Sequence, residues 1–149
     1  MNPKLGNYFN NENREDFCRK HLVRGAVLRT FTELTKPPKI KLFVIWGFEE
    51  SIDKTGLSFI NSENRFSRHT ILSDLQYPLR VARNRFLGHD SFLECSMIYE
   101  TSLAKIRTFI INDISVLIGN ISSADLENAI KIIRNAPTIE EKLKMRYGF

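Results

Sequence analysis

The sequence predicts an α+β domain that is mainly β, a small antiparallel barrel with a short N-terminal helix and a C-terminal helix. Apolar and polar residues alternate in several segments of the first two thirds of the chain, which is the pattern of half-buried strands. Glycine, proline and asparagine separate these segments and indicate turns. The last third contains a clear helical pattern. Strands in sequence followed by one helix are typical of small barrels.

The composition is that of one ordinary soluble domain. The chain has 149 residues, of which 42% are hydrophobic and 26% are charged. We expect residues 1–12 to form a disordered or extended leader and residues 13–149 to form a single barrel-plus-helix domain. No segment approaches the roughly 20 apolar residues that cross a membrane, and the first residues lack the apolar stretch of a secretion signal. The expected location is therefore the cytoplasm, without membrane contact.

The first helix and the first strand have clear signals. Asn13 can cap a short helix, because Glu15 and Asp16 follow in its first turn, and Gly25 provides a stop. Residues 26–32 combine valine, threonine and phenylalanine, which favours a strand.

A second and a third strand follow a proline-rich connection. The segment Lys36-Pro37-Pro38-Lys39 must be extended, because each proline restricts the residue before it. The apolar run 43–46 predicts a central strand that is buried on both faces. Residues 56–62 alternate and predict its antiparallel partner, with a connection over 48–54 that is too long for a tight hairpin.

The middle of the chain is harder to interpret. Residues 65–88 have no clean period, and we expect them to be mostly irregular with a short strand near 69–72. Residues 91–99 alternate and predict a strand. Residues 103–118 fit either a helix or two strands. Their β-branched residues and the turn signal Asn112-Asp113 favour strand, turn, strand.

The C-terminal helix carries a capping signal. Ser122 with Asp125 three residues later is a capping-box pattern. An apolar face follows at helical spacing, formed by Leu126, Ala129, Ile130 and Ile133. Thr138 with Glu141 repeats the capping pattern and predicts a short tail helix over 139–145.

Basic residues are in excess and unevenly distributed. The formal net charge is +5 and the pI is near 9.4, and a basic surface attracts polyanions, nucleic acid first. Residues 65–85 hold five arginines against one acid, Asp74. Spread evenly, the same charge would serve solubility alone. The candidate nucleic-acid-binding residues are Arg24, Lys36, Lys41, Arg65, Arg68, Arg83 and Arg85.

His89, Asp90 and Ser91 place an imidazole, a carboxylate and a hydroxyl in consecutive positions before a predicted strand. An imidazole exchanges protons readily near neutral pH, so His89 is a candidate general acid or base. Asp90 can orient it if the chain bends at Gly88. The alternative is a simple turn, which these residue types also favour.

Several classes of enzyme are not indicated. The glycine motifs of P-loop NTPases and Rossmann oxidoreductases are absent. The Gly-x-Ser-x-Gly nucleophile elbow of serine hydrolases is also absent. The two cysteines and three histidines lack the spacing of a metal site, so we expect no metal, disulfide framework or cofactor. Metal-free RNA cleavage is compatible with the sequence. It requires a base, an acid and a cation, while RNA supplies its own 2′-hydroxyl nucleophile.

Four segments together resemble the layout of one family. A glycine-containing first strand lies at 23–28, and the basic, proline-containing entry Lys36-Pro37-Pro38-Lys39 leads into an apolar second strand. A third strand with a polar end lies at 55–62, and Gly119-Asn120-Ile121-Ser122 introduces a helix. This layout resembles the MazF/PemK family of toxin endoribonucleases, which implies an SH3-like barrel. The family has an arginine before the second-strand proline and a threonine or serine after the third strand. Lys36 or Lys39 and Ser62 take these places here.

The candidate catalytic residues are Lys39 and Ser62, by this resemblance, and His89 and Asp90, by their chemistry. The leading hypothesis is a metal-independent endoribonuclease that acts as the toxin of a toxin–antitoxin or phage-defence pair. The resemblance implies RNA as substrate, an antitoxin with an acidic segment as partner, and a homodimer. The alternative is a non-catalytic barrel that binds nucleic acid or protein, and a third hypothesis is a structural or inhibitory protein of phage origin.

Overall fold

Seven strands form one antiparallel sheet, and helices pack on both of its faces. The computed structural model describes residues 11–149, so residues 1–10 of the predicted leader lie outside the described residues. Its last two residues, Asn11 and Glu12, belong to the first helix, and Asn13 lies within that helix rather than capping it. The α-helices are α1 (Asn11–His21), α2 (Thr70–Asp74), α3 (Leu103–Asn112), α4 (Ser123–Asn135) and α5 (Glu141–Arg146). The strands are β1 (Ala26–Thr32), β2 (Lys39–Glu49), β3 (Lys54–Asn61), β4 (Gln76–Leu79), β5 (Ser91–Glu94), β6 (Tyr99–Thr101) and β7 (Leu117–Asn120).

The sheet is open, with β4 at one edge and β7 at the other. The strand order is β4-β5-β3-β2-β1-β7, and β6 pairs with β3 beyond β5. The predicted class, α+β with a mainly antiparallel sheet, is confirmed. Because the described strands do not close on themselves, the predicted SH3-like barrel is not confirmed. Pro78 lies in β4, which fits an edge position because proline has no N–H to donate.

Each face of the sheet covers its own apolar core. On one face, Val44, Trp46 and Leu93 pack with Ala129 of α4 and Tyr147, which follows α5. On the other face, strands β1 to β3 pack against α1 and α3, through Cys18, Leu22, Leu28, Phe43, Ile45, Leu57, Leu103, Ile106 and Ile110. None of the described helices is long and apolar enough to span a membrane.

Strands β1, β2 and β3 form a meander close to the predicted one. β1 has the predicted bounds, and the apolar run 43–46 is fully buried with alternate residues in the two cores. β2 continues to Glu49 and β3 begins at Lys54, so the connection is a short 3-10 turn, Glu50–Ile52, followed by Asp53 with φ of 50°. The connection is therefore shorter than the sequence predicted.

Several predictions for the chain after β3 are wrong. Residues 69–72 do not form a strand, because α2 occupies most of this segment and the unpredicted strand β4 follows it. The predicted strand 91–99 breaks at a turn into β5 and the start of β6. Over 103–118, α3 replaces the predicted strand, turn, strand, and only β7 at the end is a strand. The tail helix α5 starts two residues later than predicted, after Glu140 rather than Thr138.

Two caps and a buried stripe explain why α3 is a helix. Ser102 Oγ accepts a hydrogen bond from the Lys105 N–H at 3.2 Å, and Asp53 Oδ1 accepts one from the Ala104 N–H at 2.8 Å. The buried residues of α3 lie at helical spacing, namely Leu103, Ile106 and Ile110. Capping and core packing together outweigh the strand preference of its β-branched residues.

Helix α4 begins as predicted, and its first turn holds a buried carboxylate. Asp125 is fully buried, and it accepts hydrogen bonds from the Tyr77 hydroxyl at 2.7 Å, from Asn84 Nδ2 at 2.7 Å and from the Ser122 hydroxyl at 2.8 Å. Arg83 forms an ion pair with it at 2.9 Å. Burial alone would raise the pKa of Asp125, but these hydrogen bonds and the Arg83 charge hold it below its ordinary value. The network joins β4 and the loop after it to α4.

Candidate nucleic-acid interface

The segments that carry the predicted site residues meet at one end of the sheet. β2 and β5 begin there and β3 ends there, since Thr32 pairs with Lys39, Asn61 with Phe92 and Leu79 with Ser91. We call this the polar end of the sheet. Neighbouring strands are about 4.8 Å apart, so β2 and β5, which flank β3, are about 10 Å apart. Lys39, Ser62 and His89 therefore lie at the same end of the molecule.

Three basic residues lie near the polar end, since Lys39 and Lys41 share one face of β2 and Arg65 follows the end of β3 by four residues. Burial lowers the pKa of Lys41, and the positive charges of Lys39 and Arg65 lower it further, while Glu94 opposes them. Within the described residues, none of the three cations forms an ion pair with a carboxylate. We call Lys39, Lys41 and Arg65 the basic cluster. A nearby anion would reduce the mutual repulsion of these charges.

Lys41 is held in place by its neighbours in the sheet. Its ammonium donates to Asn61 Oδ1 at 2.6 Å and lies 5.5 Å from the centroid of the Phe59 ring. Asn61 is only 4% exposed, and its Nδ2 has no hydrogen-bond partner among the described residues. An unused donor of Asn61 therefore lies beside the positioned cation Lys41.

A buried carboxylate lies beside the basic cluster. Glu94 of β5 is 5% exposed and accepts a hydrogen bond from the Tyr99 hydroxyl at 3.2 Å. The Tyr99 ring packs on Phe59 with 4.6 Å between centroids. Burial and the neighbouring Glu94 raise the pKa of Tyr99 to about 12, so the phenol is a hydrogen-bond donor at neutral pH.

His89, Asp90 and Ser91 lie at the polar end, but Asp90 does not orient the imidazole. Asp90 Oδ1 accepts from the Val81 N–H at 2.9 Å and Oδ2 from Arg80 at 3.2 Å, and these bonds lower the pKa of Asp90. His89 Nδ1 lies 2.9 Å from the Asp90 carbonyl oxygen and 3.3 Å from Ser91 Oγ. The Asp90 carboxylate therefore stabilises the loop that contains Arg80 and Val81. The His89 side chain is exposed and lies beside the Ser91 hydroxyl.

Two of the predicted phosphate-binding arginines bind within the protein instead. Arg24 Nε donates to the Trp46 carbonyl at 2.9 Å, a second nitrogen of Arg24 donates to the Tyr147 carbonyl, and its guanidinium lies 4.9 Å from the Phe149 ring centroid. Arg83 pairs with Asp125. The remaining predicted phosphate-binding residues outside the basic cluster are exposed, namely Lys36, Arg68 and Arg85.

Sequence reasoning missed Glu94 and Tyr99 as site residues. The available signal was an acidic residue between Leu93 and Cys95 in an apolar strand, because glutamate is rarely buried without a reason. Their distance in sequence from Lys41 hid their placement in the same region, since only the pairing of β5 and β6 with β3 brings these strands together.

The sequence matches no model of a known protein family and no curated protein. The resemblance to the MazF/PemK family therefore stays a prediction. Within residues 11–149, no three His, Cys, Asp or Glu side chains lie close enough together to hold a metal ion.

Proposed function

We propose that the protein binds single-stranded RNA at the polar end of the sheet and cleaves it without a metal ion. The observation that carries this proposal is the basic cluster of Lys39, Lys41 and Arg65, three cations that lie together and have no carboxylate partner among the described residues. A nucleic-acid backbone supplies regularly spaced phosphates that such cations bind.

RNA is favoured over DNA because its 2′-hydroxyl is an internal nucleophile, so cleavage needs only proton transfer and charge stabilisation. Lys39 belongs to the basic cluster, and the exposed Ser62 and His89 lie at the same end of the sheet. RNA cleavage would thus have a cation, Lys39, and an imidazole, His89, on one surface.

The biological role that follows is that of a toxin in a toxin–antitoxin or phage-defence pair, acting in the cytoplasm. An antitoxin with an acidic segment would compete with RNA for the same basic cluster, because carboxylates and phosphates are bound by the same cations. A homodimer belongs to this proposal through the family resemblance.

Incubation of the protein with single-stranded RNA in the presence of EDTA tests the proposal. We expect fragmentation of the RNA, while DNA of the same sequence stays intact. Expression in a bacterial host is expected to stop growth and degrade cellular RNA. Intact RNA would contradict cleavage, and intact RNA without detectable RNA binding would contradict the whole proposal.

One observation favours a second candidate, a non-catalytic nucleic-acid-binding module. Asp90 is bound to Val81 and Arg80 rather than to His89, so the acid–base pair predicted from sequence is not assembled. RNA binding without cleavage in the same assay would select this module.

A further inference from the structure

We propose that Glu94 is the general base of this site, and that Lys41 and Asn61 hold the reacting phosphate beside it. The inference rests on the proposed function, because it assigns the reacting groups of RNA cleavage. It departs from the sequence prediction, which placed acid–base chemistry at His89 and Asp90.

The first argument is that the Glu94 carboxylate accepts few hydrogen bonds for a buried acid. Glu94 is 5% exposed, and among the described residues its only side-chain hydrogen bond comes from Tyr99. No described cation lies within ion-pairing distance of it. Buried carboxylates are usually paired or multiply hydrogen-bonded. A carboxylate with free lone pairs beside a cationic surface can accept a proton from a bound molecule.

The second argument is the unused donor of Asn61. Its Oδ1 accepts from Lys41 at 2.6 Å, so the amide nitrogen is fixed in direction, yet this nitrogen is buried without a partner among the described residues. An unpaired buried N–H costs about 1–3 kcal/mol. A shift on binding that opens this nitrogen would let a phosphate oxygen bound by Lys41 accept from the same amide and remove that cost. The amide and the ammonium would then hold one anionic group together.

The reaction that this arrangement supports is a transesterification. Glu94 removes the proton of a ribose 2′-hydroxyl, and that oxygen forms a bond to the adjacent phosphorus while the bond from phosphorus to the 5′-oxygen breaks. Lys41 and Asn61 stabilise the charge that develops on the phosphoryl oxygens. The 5′-oxygen takes a proton from water, and Glu94 returns its proton to the hydroxide that remains. The products are a 2′,3′-cyclic phosphate and a 5′-hydroxyl.

The test compares Glu94→Gln with Glu63→Gln, which changes an exposed carboxylate on the segment that follows β3. Both proteins and the wild type are assayed on RNA for binding, cleavage rate and product ends. For Glu94→Gln we expect a cleavage rate at least about 100-fold lower, with affinity for RNA within about twofold of the wild type. For Glu63→Gln we expect wild-type values, and the wild-type fragments should end in a cyclic phosphate.

A second variant keeps the inference testable if Glu94→Gln does not fold. Tyr99→Phe removes the hydrogen bond that orients the Glu94 carboxylate, so the cleavage rate should fall at least about tenfold while RNA affinity stays within about twofold of the wild type. An unchanged cleavage rate in Tyr99→Phe, or in folded Glu94→Gln, would overturn the role of Glu94 while leaving the proposed function standing. A wild type that binds RNA without cleaving it would overturn both the role of Glu94 and the cleavage part of the proposed function. A wild type that neither binds nor cleaves RNA would contradict the proposed function itself.

Discussion

Asp125 joins three separate segments of the chain through one buried carboxylate. Its partners are Tyr77 of β4, Arg83 and Asn84 in the following loop, and Ser122 at the start of α4. Since all three hydrogen bonds have good lengths, the free energy of burying the charge is offset at this position. The sequence showed Ser122 and Asp125 as a cap, but it could not show the partners that the fold brings from β4.

Replacing Asp125 with alanine tests this network. Asp125→Ala leaves Tyr77 and Asn84 without their acceptor, so we expect the free energy of unfolding to fall by about 3 kcal/mol. Glu127→Ala, on the exposed side of the same helix, should change it by less than about 0.5 kcal/mol. Chemical denaturation with circular dichroism measures both, and equal values for the two variants would contradict the assignment.

The same carboxylate predicts a pH dependence of stability. The pKa of Asp125 is lowered in the folded protein, so the folded state binds fewer protons there than the unfolded chain does. Its contribution is complete above the ordinary pKa of aspartate, about 3.9, and is lost as pH falls through the folded value. The difference in unfolding free energy between the wild type and Asp125→Asn should therefore shrink in acid below about pH 4. A difference that stays constant down to pH 2 would contradict the lowered pKa of Asp125 in the folded protein.

At the scale of elements, local signals predicted those segments whose structure depends on local interactions. β1 and α4 match the predicted positions because strand propensity and a Ser122 cap are readable from neighbouring residues. α3 was predicted wrongly because one of its caps, Asp53, comes from the turn between β2 and β3. β4 was missed because its position depends on pairing with β5 and on the burial of Leu79.

The packing of the C-terminus on β3 leads to a prediction about Gly56. A Cβ at this position would lie 2.7 Å from Tyr147 Cε2 and 2.8 Å from two further ring atoms. Tyr147 cannot move freely, because it is 3% exposed and its hydroxyl donates to Glu100 Oε1 at 2.7 Å. Gly56→Ala should therefore lower the free energy of unfolding by about 1–3 kcal/mol.

Gly88→Ala is the matched control for this effect. A Cβ at Gly88 meets no atom within 4 Å, so we expect the stability to stay within about 0.5 kcal/mol of the wild type. Thermal unfolding of both variants is the measurement. A Gly56→Ala protein as stable as Gly88→Ala would show that the Tyr147 ring shifts without cost.

At the scale of the molecule, the helices divide the sheet into a covered part and an uncovered polar end. α1 and α3 cover one face and α4 and α5 the other. At the polar end Lys39, Ser62 and His89 are exposed, while Asn61 and Glu94 are buried. The sequence indicated basic tracts at Lys36–Lys41 and Arg65, but it could not separate Arg24 and Arg83, which the fold uses for internal contacts. Nor could it place Glu94, since strand pairing alone brings that acid to Lys41.

The most direct test of the account is the affinity of the protein for a fluorescent single-stranded RNA across a range of salt concentrations. The test variant combines Lys39→Ala, Lys41→Met and Arg65→Ala, and the control combines Lys20→Ala, Lys131→Ala and Lys142→Ala at exposed positions. Each set removes three positive charges and lowers the net charge from +5 to +2. We expect at least about tenfold weaker binding and a salt slope smaller by about 2 for the test variant alone, at about 0.7 per phosphate contact. Equal losses in both variants would show that binding follows total charge and would contradict a site at the polar end of the sheet.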